Sequence, residues 1–381
     1  MDEQDGGLLK QELLFVIDNL GTGGAQRQMV NLAVGLTQRG HRVAFFCYAP
    51  GDLLAAPLHD AGVPVHWHLK RGRYTPDVLA ALHKVVAEGR YDLILSFLTT
   101  PSFYALVAGR LLSNPRVPVI VSERFCDLPQ GPDLSERLVR PLYRLSAHVV
   151  TNSHHQRENL SRRYPFLRDR LSTIYNGYDL QGFAPAPNDS DNHPLRLLVI
   201  ASVSPYKNGL CLVEALNLLQ QRNGSLPHVT WIGQRVRAGE RWQYLQLMER
   251  RIAECGLKQH WEWLGQRTDI ADQLHQHDAL VHPSYGEGLP NVVCEALACG
   301  RPVVVSDTLD HARLVQDGES GYLFDWQDPS DLAAKIEAMA QLEPQERRRM
   351  GARGRLFAET HLSLDRYVDE YEGLFASLIQ R

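Results

Sequence analysis

Glu287 and Glu295 are two carboxylates with seven residues between them, placed where a strand-like segment gives way to a helical one. Asp278 to His282 reads as the strand, Gly286-Glu287-Gly288-Leu289-Pro290-Asn291 as the turn, and the stretch carrying Glu295 as the helix. Pro290 is expected at the first helical position, because its fixed φ suits a helix and its missing N–H has no partner there. Glu287 then lies on the loop, with Glu295 about 7 Å further along the helix axis at roughly 1.5 Å per residue. One acid meets a ligand at the helix mouth and the other reaches its flank. Backbone N–H groups between them are a seat for phosphate or sugar oxygens.

Two more loops leave apolar runs in the same manner. Asp18 leads into Gly21-Thr22-Gly23-Gly24-Ala25-Gln26 and a helix with Met29, Leu32, Ala33 and Leu36 on its apolar face. Glycines there let backbone approach a ligand at a helix N-terminus. A dinucleotide fingerprint needs a third glycine where Gln26 stands, and an acid near Ala44 to Tyr48, which is apolar. An NAD enzyme is not expected. Further on, Leu197 to Ala201 leads into Ser202-Val203-Ser204-Pro205-Tyr206-Lys207-Asn208-Gly209, which puts Lys207 beyond a strand's carboxyl end, where open α/β sheets bind ligands. The lysine there is suited to neutralising a diphosphate.

Other chemistries lack their residues. His148, His154, His155, His275, His277 and His282 show no metal-ligand spacing, and no GxSxG elbow occurs. The six cysteines form no CxxC pair and read as buried thiols.

These loops need a scaffold. Apolar runs at Leu13 to Ile17, Val43 to Tyr48, Leu93 to Phe97, Val117 to Val121 and Val149 to Asn152 alternate with helical patterns. The rhythm resumes at Leu197 to Ala201, Val229 to Gly233, Trp261 to Gly265, Ala279 to His282, Val303 to Ser306 and Tyr322 to Phe324. Such alternation predicts an α/β protein of two doubly wound, Rossmann-like domains with parallel sheets. The polar, proline-bearing stretch Ala184 to Pro194 reads as a linker, giving domains at 1–183 and 195–363. Leu364, Tyr367, Tyr371, Leu374, Phe375 and Leu378 make a one-sided helix over 364–381, expected to pack back on the first domain.

A length of 381 residues favours two domains, and 44% hydrophobic with 22% charged residues is a globular composition. No apolar run reaches a membrane span and the acidic start MDEQDGG is unlike a signal peptide, so a cytoplasmic protein is expected. The net charge is −4, but residues 61–180 hold sixteen Lys and Arg against ten Asp and Glu, a local excess of +6. That half is suited to an anionic acceptor or a lipid headgroup surface. No nucleic-acid partner is expected.

Taken together, the motifs resemble those of the retaining, nucleotide-sugar-dependent glycosyltransferases of the group 1 or family four class, the glycogen-synthase-like enzymes of GT-B fold. The resemblance is carried by Gly23-Gly24, by Ile174-Tyr175-Asn176-Gly177-Tyr178-Asp179, by Ser204-Pro205-Tyr206-Lys207-Asn208, by HPSYGEGLPNVVCEALACGRPVVVSD from His282, and by Gly318 to Phe324. It implies two domains facing across a cleft. It also implies that Glu287 contacts the donor sugar's hydroxyls, that Glu295 accepts from the ribose hydroxyls, and that Lys207 grips the diphosphate. Gly288, Leu289, Pro290, Asn291, Val292, Gly23 and Gly24 would hold sugar and phosphate through their backbone. Two departures stand out: Ser202 replaces the arginine that many relatives carry five residues before the lysine, and Leu309-Asp310 replaces a glycine pair. Arg235 or Arg267 is a candidate substitute cation.

No DxD-type carboxylate pair stands at a strand end, so no metal and no other cofactor is expected; the nucleotide-sugar, most simply a UDP-sugar, is a co-substrate. The acceptor is expected to be a saccharide or lipid-linked saccharide, held near Ser122, Glu123 and Arg124 after the strand Val117 to Val121. Arg137, Arg140 and Arg144, on one helix with Leu134, Leu138, Leu142 and Leu145, either graze the inner face of the cytoplasmic membrane or belong to a core-packing amphipathic helix. A role in polysaccharide, O-antigen or glycolipid assembly follows by analogy. The alternatives are a nucleotide-sugar epimerase, a sugar phosphorylase, or a non-catalytic partner subunit on the same fold.

Overall fold

The computed structural model describes residues 10–72, 76–126, 131, 133–185, 194–222, 226–235 and 238–379. Most of the expected linker, 186–193, lies outside the described residues. The chain divides into two compact units, Met1–Gly177 with Leu364–Arg381, and Tyr178–Ser363.

The first unit is built on β1 (Glu12–Ile17), β2 (Arg42–Cys47), β3 (Val65–Trp67), β4 (Leu93–Phe97), β5 (Val119–Glu123), β6 (His148–Thr151) and β7 (Leu171–Thr173), in the order β3-β2-β1-β4-β5-β6-β7. The second is built on β8 (Arg196–Ile200), β9 (His228–Ile232), β10 (Trp261–Gly265), β11 (Ala279–His282), β12 (Val303–Ser306) and β13 (Gly321–Phe324), in the order β10-β9-β8-β11-β12-β13. Every pairing is parallel. Helices cover both faces, which is why central strands such as Leu13 to Ile17 are apolar at each position and wholly buried.

The helix Leu364–Ile379 returns to the first unit, where Tyr367, Val368, Tyr371 and Phe375 share a core with Leu13, Phe15 and Leu36. Gly177 makes room for it, since a Cβ there would stand 2.6 Å from Tyr367 Cβ. The division between units falls six residues before the expected boundary at 183. Tyr178 N–H donates to the Leu362 carbonyl at 2.9 Å, and Arg355 Nη1 donates at 3.0 Å to the carbonyls of both Leu180 and Phe183. Those bonds fasten 178–183 to the second unit.

Candidate active site

In both sheets the strand order reverses around a central pair, β1 with β4 and β8 with β11, and beyond the carboxyl ends of such pairs doubly wound sheets hold ligands. In the second unit β8 runs into a single 3-10 turn, Pro205–Lys207. The Tyr206 carbonyl accepts from Tyr285 N–H at 3.0 Å and from Ser284 Oγ at 3.1 Å, so this turn is stitched to the loop after β11. Asn208 adopts φ 58° and its amide donates to the Trp326 carbonyl at 2.8 Å. Gly233 is required by close approach, because a Cβ would meet the Ala201 carbonyl oxygen at 1.9 Å. The consequence is local: the Lys207 ammonium rests on Glu287 Oε1.

Glu287 Oε1 also receives His282 Nε2 at 3.1 Å. Burial alone would raise the Glu287 carboxyl, but the Lys207 charge and the His282 hydrogen bond outweigh it and hold the group well below the usual carboxylate range. Burial lowers His282 below the ordinary imidazole range against the pull of Glu287. Behind it, burial pushes the pKa of the His311 imidazole down to about 3.

Gly288, Leu289 and Pro290 are buried, and the helix Asn291–Ala298 follows. Pro290 is its cap rather than its first residue. With ψ 98° it is still extended, and its carbonyl accepts from Val293 at 3.1 Å and Cys294 at 3.2 Å. Asn291 Oδ1 accepts from Tyr178 Oη at 2.7 Å. Val292 is partly buried, and Glu295 lies in the second turn with 1% exposure. The loops after β8 and β11 thus bring Lys207 and Glu287 together at the mouth of the helix that carries Glu295.

Ser202 is partly buried on the loop after β8. Neither candidate substitute for the missing arginine is uncommitted: Arg235 pairs with Glu249 and lies 5.4 Å over Trp263, while Arg267 grips Asp269 at 2.6 and 2.8 Å. Leu309 sits at φ 57°, the left-handed region that a glycine would occupy without strain.

Gly23 and Gly24 belong to the first unit, where they open the helix Gly24–Gln38. Gln26, in place of a third glycine, folds its amide onto Asp18 Oδ1 at 3.0 Å, and a Cβ on Gly23 would stand 2.0 Å from its Oε1. Ser122 and Glu123 end β5 rather than following it, and Ser122 is buried against Tyr371. Glu123 is consumed by structure: Arg140 Nε donates to it at 3.1 Å and Tyr143 Oη at 2.6 Å. Arg124 donates to Asn176 Oδ1 at 2.8 Å and Tyr371 Oη at 2.6 Å, with its guanidinium 3.7 Å from the Phe97 ring centroid. Glu123 and Arg124 help line a cavity of about 370 Å³ with Asp18, Lys70, Thr99 and Tyr104.

The expected arginine-bearing helix is corrected. The α-helix Leu134–Val139 ends before Pro141 and a 3-10 helix, Arg140–Leu145, takes over, so Arg140 turns inward and is fully buried on Glu123. Leu134 and Leu138 instead stay 73% and 67% exposed. The core-packing alternative therefore does not hold for the whole run. His282, His311 and Ser306 were not assigned a role from sequence; a histidine closing an otherwise apolar strand was the available signal.

No helix of the described residues is long and apolar enough to cross a membrane. Among the described residues no cluster of three or more His, Cys, Asp or Glu is placed to hold a metal ion.

Two parallel-sheet domains, with a lysine, a loop glutamate and a helical glutamate at one switch point, are the frame of a GT-B glycosyltransferase. Residues 194–341 match the glycosyl transferases group 1 family and residues 22–181 the glycosyltransferase family 4; the chain belongs to these glycogen-synthase-like glycosyltransferases. A D-inositol 3-phosphate glycosyltransferase of Arthrobacter sp. (strain FB24) is 25% identical over 92% of each chain. The UDP-Gal:alpha-D-GlcNAc-diphosphoundecaprenol alpha-1,3-galactosyltransferase of Escherichia coli is 25% identical over 66% of each. Among solved structures, HepE of Anabaena in complex with UDP and glucose superposes with a TM-score of 0.82 at 20% identity, over 96% of this chain and 100% of that one.

Proposed function

We propose that the protein moves a hexose from a UDP-sugar to a glycan or lipid-linked saccharide, with retention at the anomeric carbon and without a divalent metal. The observation that carries this is the contact of Lys207 with Glu287 at the β8/β11 switch point, at the mouth of the helix holding buried Glu295. Lys207 takes the diphosphate, Glu295 the ribose hydroxyls and Glu287 the hydroxyls of the sugar. Backbone from Gly288 to Val292, with Gly23 and Gly24, takes sugar and phosphate oxygens. As the anomeric C–O bond breaks, the ring gains positive and the leaving phosphate negative charge. Lys207 and the helix N-terminus are aimed at the latter, and preorganised charge of this kind is a large share of catalysis. The acceptor oxygen bonds to the anomeric carbon on the face that the phosphate leaves, and the departing phosphate oxygen takes its proton.

The acceptor side rests on the first unit. Its cavity of about 370 Å³ mixes carboxylates, Lys70, Arg124 and tyrosines, a lining suited to a saccharide. The galactosyltransferase relative acts on a diphosphoundecaprenol-linked sugar, and exposed Leu134 and Leu138 beside the cavity residues Asp133 and Ser135 would suit an acceptor presented at the inner membrane face. Cell-surface polysaccharide, O-antigen or glycolipid assembly is the matching role.

Thermal shift with UDP, GDP, ADP and their sugars tests the site. A nucleotide at a hundredfold excess over its Kd stabilises by about 3 kcal/mol. The expected result is a UDP response that Glu295→Ala and Lys207→Ala weaken; no response, or equal responses in both variants, overturns the assignment. Conversion of a UDP-sugar to its epimer without acceptor would mark an epimerase instead.

A further inference from the structure

His282 ends β11 with 1% exposure and has no part in the chemistry above. Its Nε2 lies 3.1 Å from Glu287 Oε1, the same oxygen that Lys207 contacts. An ionised carboxylate only accepts, so Nε2 carries the hydrogen. The other nitrogen, Nδ1, is buried without a partner, and a second N–H there would be desolvated and unpaired. The ring is therefore a neutral, one-way donor.

His311 backs it. The His311 Nδ1 lies 2.8 Å from the Ser306 carbonyl and 3.0 Å from Ser306 Oγ, and that hydroxyl donates to the Ser284 carbonyl at 2.5 Å. A carbonyl accepts only, so His311 Nδ1 is the protonated nitrogen and its Nε2 is a buried lone pair without a partner. The two rings meet edge to face, with centroids 5.6 Å apart at 80°. A charge on both would be unfavourable in so buried a place, and the loop after β12 thus supports a neutral His282.

A diphosphate carries more charge than one carboxylate and competes with Glu287 for Lys207. Resting on the function proposed above, we infer that His282 is the positioning residue of the donor site: its Nε2–H holds the Glu287 carboxylate against the sugar when Lys207 moves to the diphosphate, with His311, itself held by Ser306, packed behind the uncharged ring. The titratable groups facing Glu287 are Lys207 from the loop after β8 and His282 from β11, with His311 behind His282.

His282→Leu removes the donor, and His282→Gln restores an amide N–H near the position of Nε2. The first measurement needs no nucleotide. In a Lys207→Met background, which imitates the lysine's departure, the Glu287 carboxyl is followed by ¹³C NMR and identified by its loss in Glu287→Gln. It is expected to titrate at higher pH once His282→Leu is added, and to return when Gln is used. The second measurement keeps Lys207: His282→Leu is expected to lose about tenfold or more in kcat while the UDP Kd stays within about twofold, with most of kcat recovered by Gln. A Glu287 titration unchanged by His282→Leu, or a kcat within about twofold of the parent, overturns the inference. A parent that neither binds UDP nor turns over any UDP-sugar sinks the proposed function instead, and the carboxyl titration still decides whether His282 holds Glu287.

Discussion

Glu287→Gln should bind UDP more tightly than the parent while losing transfer. The Lys207 ammonium is spent on Glu287, with the two side chains 13% and 14% exposed. That places the pair between a surface ion pair, worth about 0–1 kcal/mol, and a fully buried one, which costs about 3–5 kcal/mol to break from one side. Nucleotide binding has to separate the pair, so its net strength, on the order of 1 kcal/mol, is subtracted from the affinity. Glutamine removes the competing charge but can still accept from His282, and UDP should gain about fivefold. Lys207→Met gives up a charged hydrogen bond of about 1.5–3 kcal/mol and is relieved of the same separation, for a net loss of roughly 2–30-fold. Isothermal titration with UDP on the two single variants and their double variant closes the cycle, with a coupling of about 1 kcal/mol expected. UDP bound equally or more weakly by Glu287→Gln would show that Lys207 does not leave Glu287 for the nucleotide.

Three further outcomes concern the frame around the site. Arg140→Met strands Glu123, whose partners are Arg140 at 3.1 Å and Tyr143 at 2.6 Å, and should cost the first unit about 3–5 kcal/mol in urea unfolding, with Glu123→Leu added to it restoring part. His311, with its pKa pushed down to about 3 in the fold against roughly 6.5 unfolded, stays neutral while the unfolded chain protonates, so stability falls as pH drops below about 6.5; the loss is about 2.5 kcal/mol by pH 4.5. Tryptophan fluorescence reads this in the second unit, which holds Trp231, Trp242, Trp261, Trp263 and Trp326, and His311→Leu should flatten the slope. Leu309→Gly should raise the melting point by relieving φ 57°, a net gain of about 0.5–1 kcal/mol once glycine's extra chain entropy is subtracted, and Leu309→Val should lower it.

What the sequence revealed follows the range over which each signal acts. The central strands came through because burial on both faces leaves a continuous apolar run, while β10 and β13, only partly buried, were legible from their aromatic residues. The short strands β3 and β7 escaped, having three residues each and only partial burial. The spacing of Glu287 and Glu295 was legible because one strand-turn-helix unit contains both. The contact of Lys207 with Glu287 spans eighty residues and is created by strand order, which no local pattern encodes. Arg137, Arg140 and Arg144 share a helical face only if the α-helix continues, and Arg140-Pro141 is where it stops. The partner that draws Arg140 inward, Glu123, lies on a different strand. The place of His282 at the end of an apolar strand marked it only as unusual, and His311 carried no signal, since a buried histidine acquires a role from the carboxylate or carbonyl set against it.

Transfer itself is the most direct test. Labelled sugar from UDP-, GDP- and ADP-sugars is offered with lipid-linked saccharide extracts, and the parent is run beside Glu287→Gln with and without EDTA. The expected result is label passing from a UDP-sugar into the lipid or glycan fraction with its anomeric configuration kept, unaffected by EDTA and abolished in Glu287→Gln. No transfer from any nucleotide-sugar, or equal transfer by Glu287→Gln, would contradict a glycosyltransferase centred on Lys207, Glu287 and Glu295.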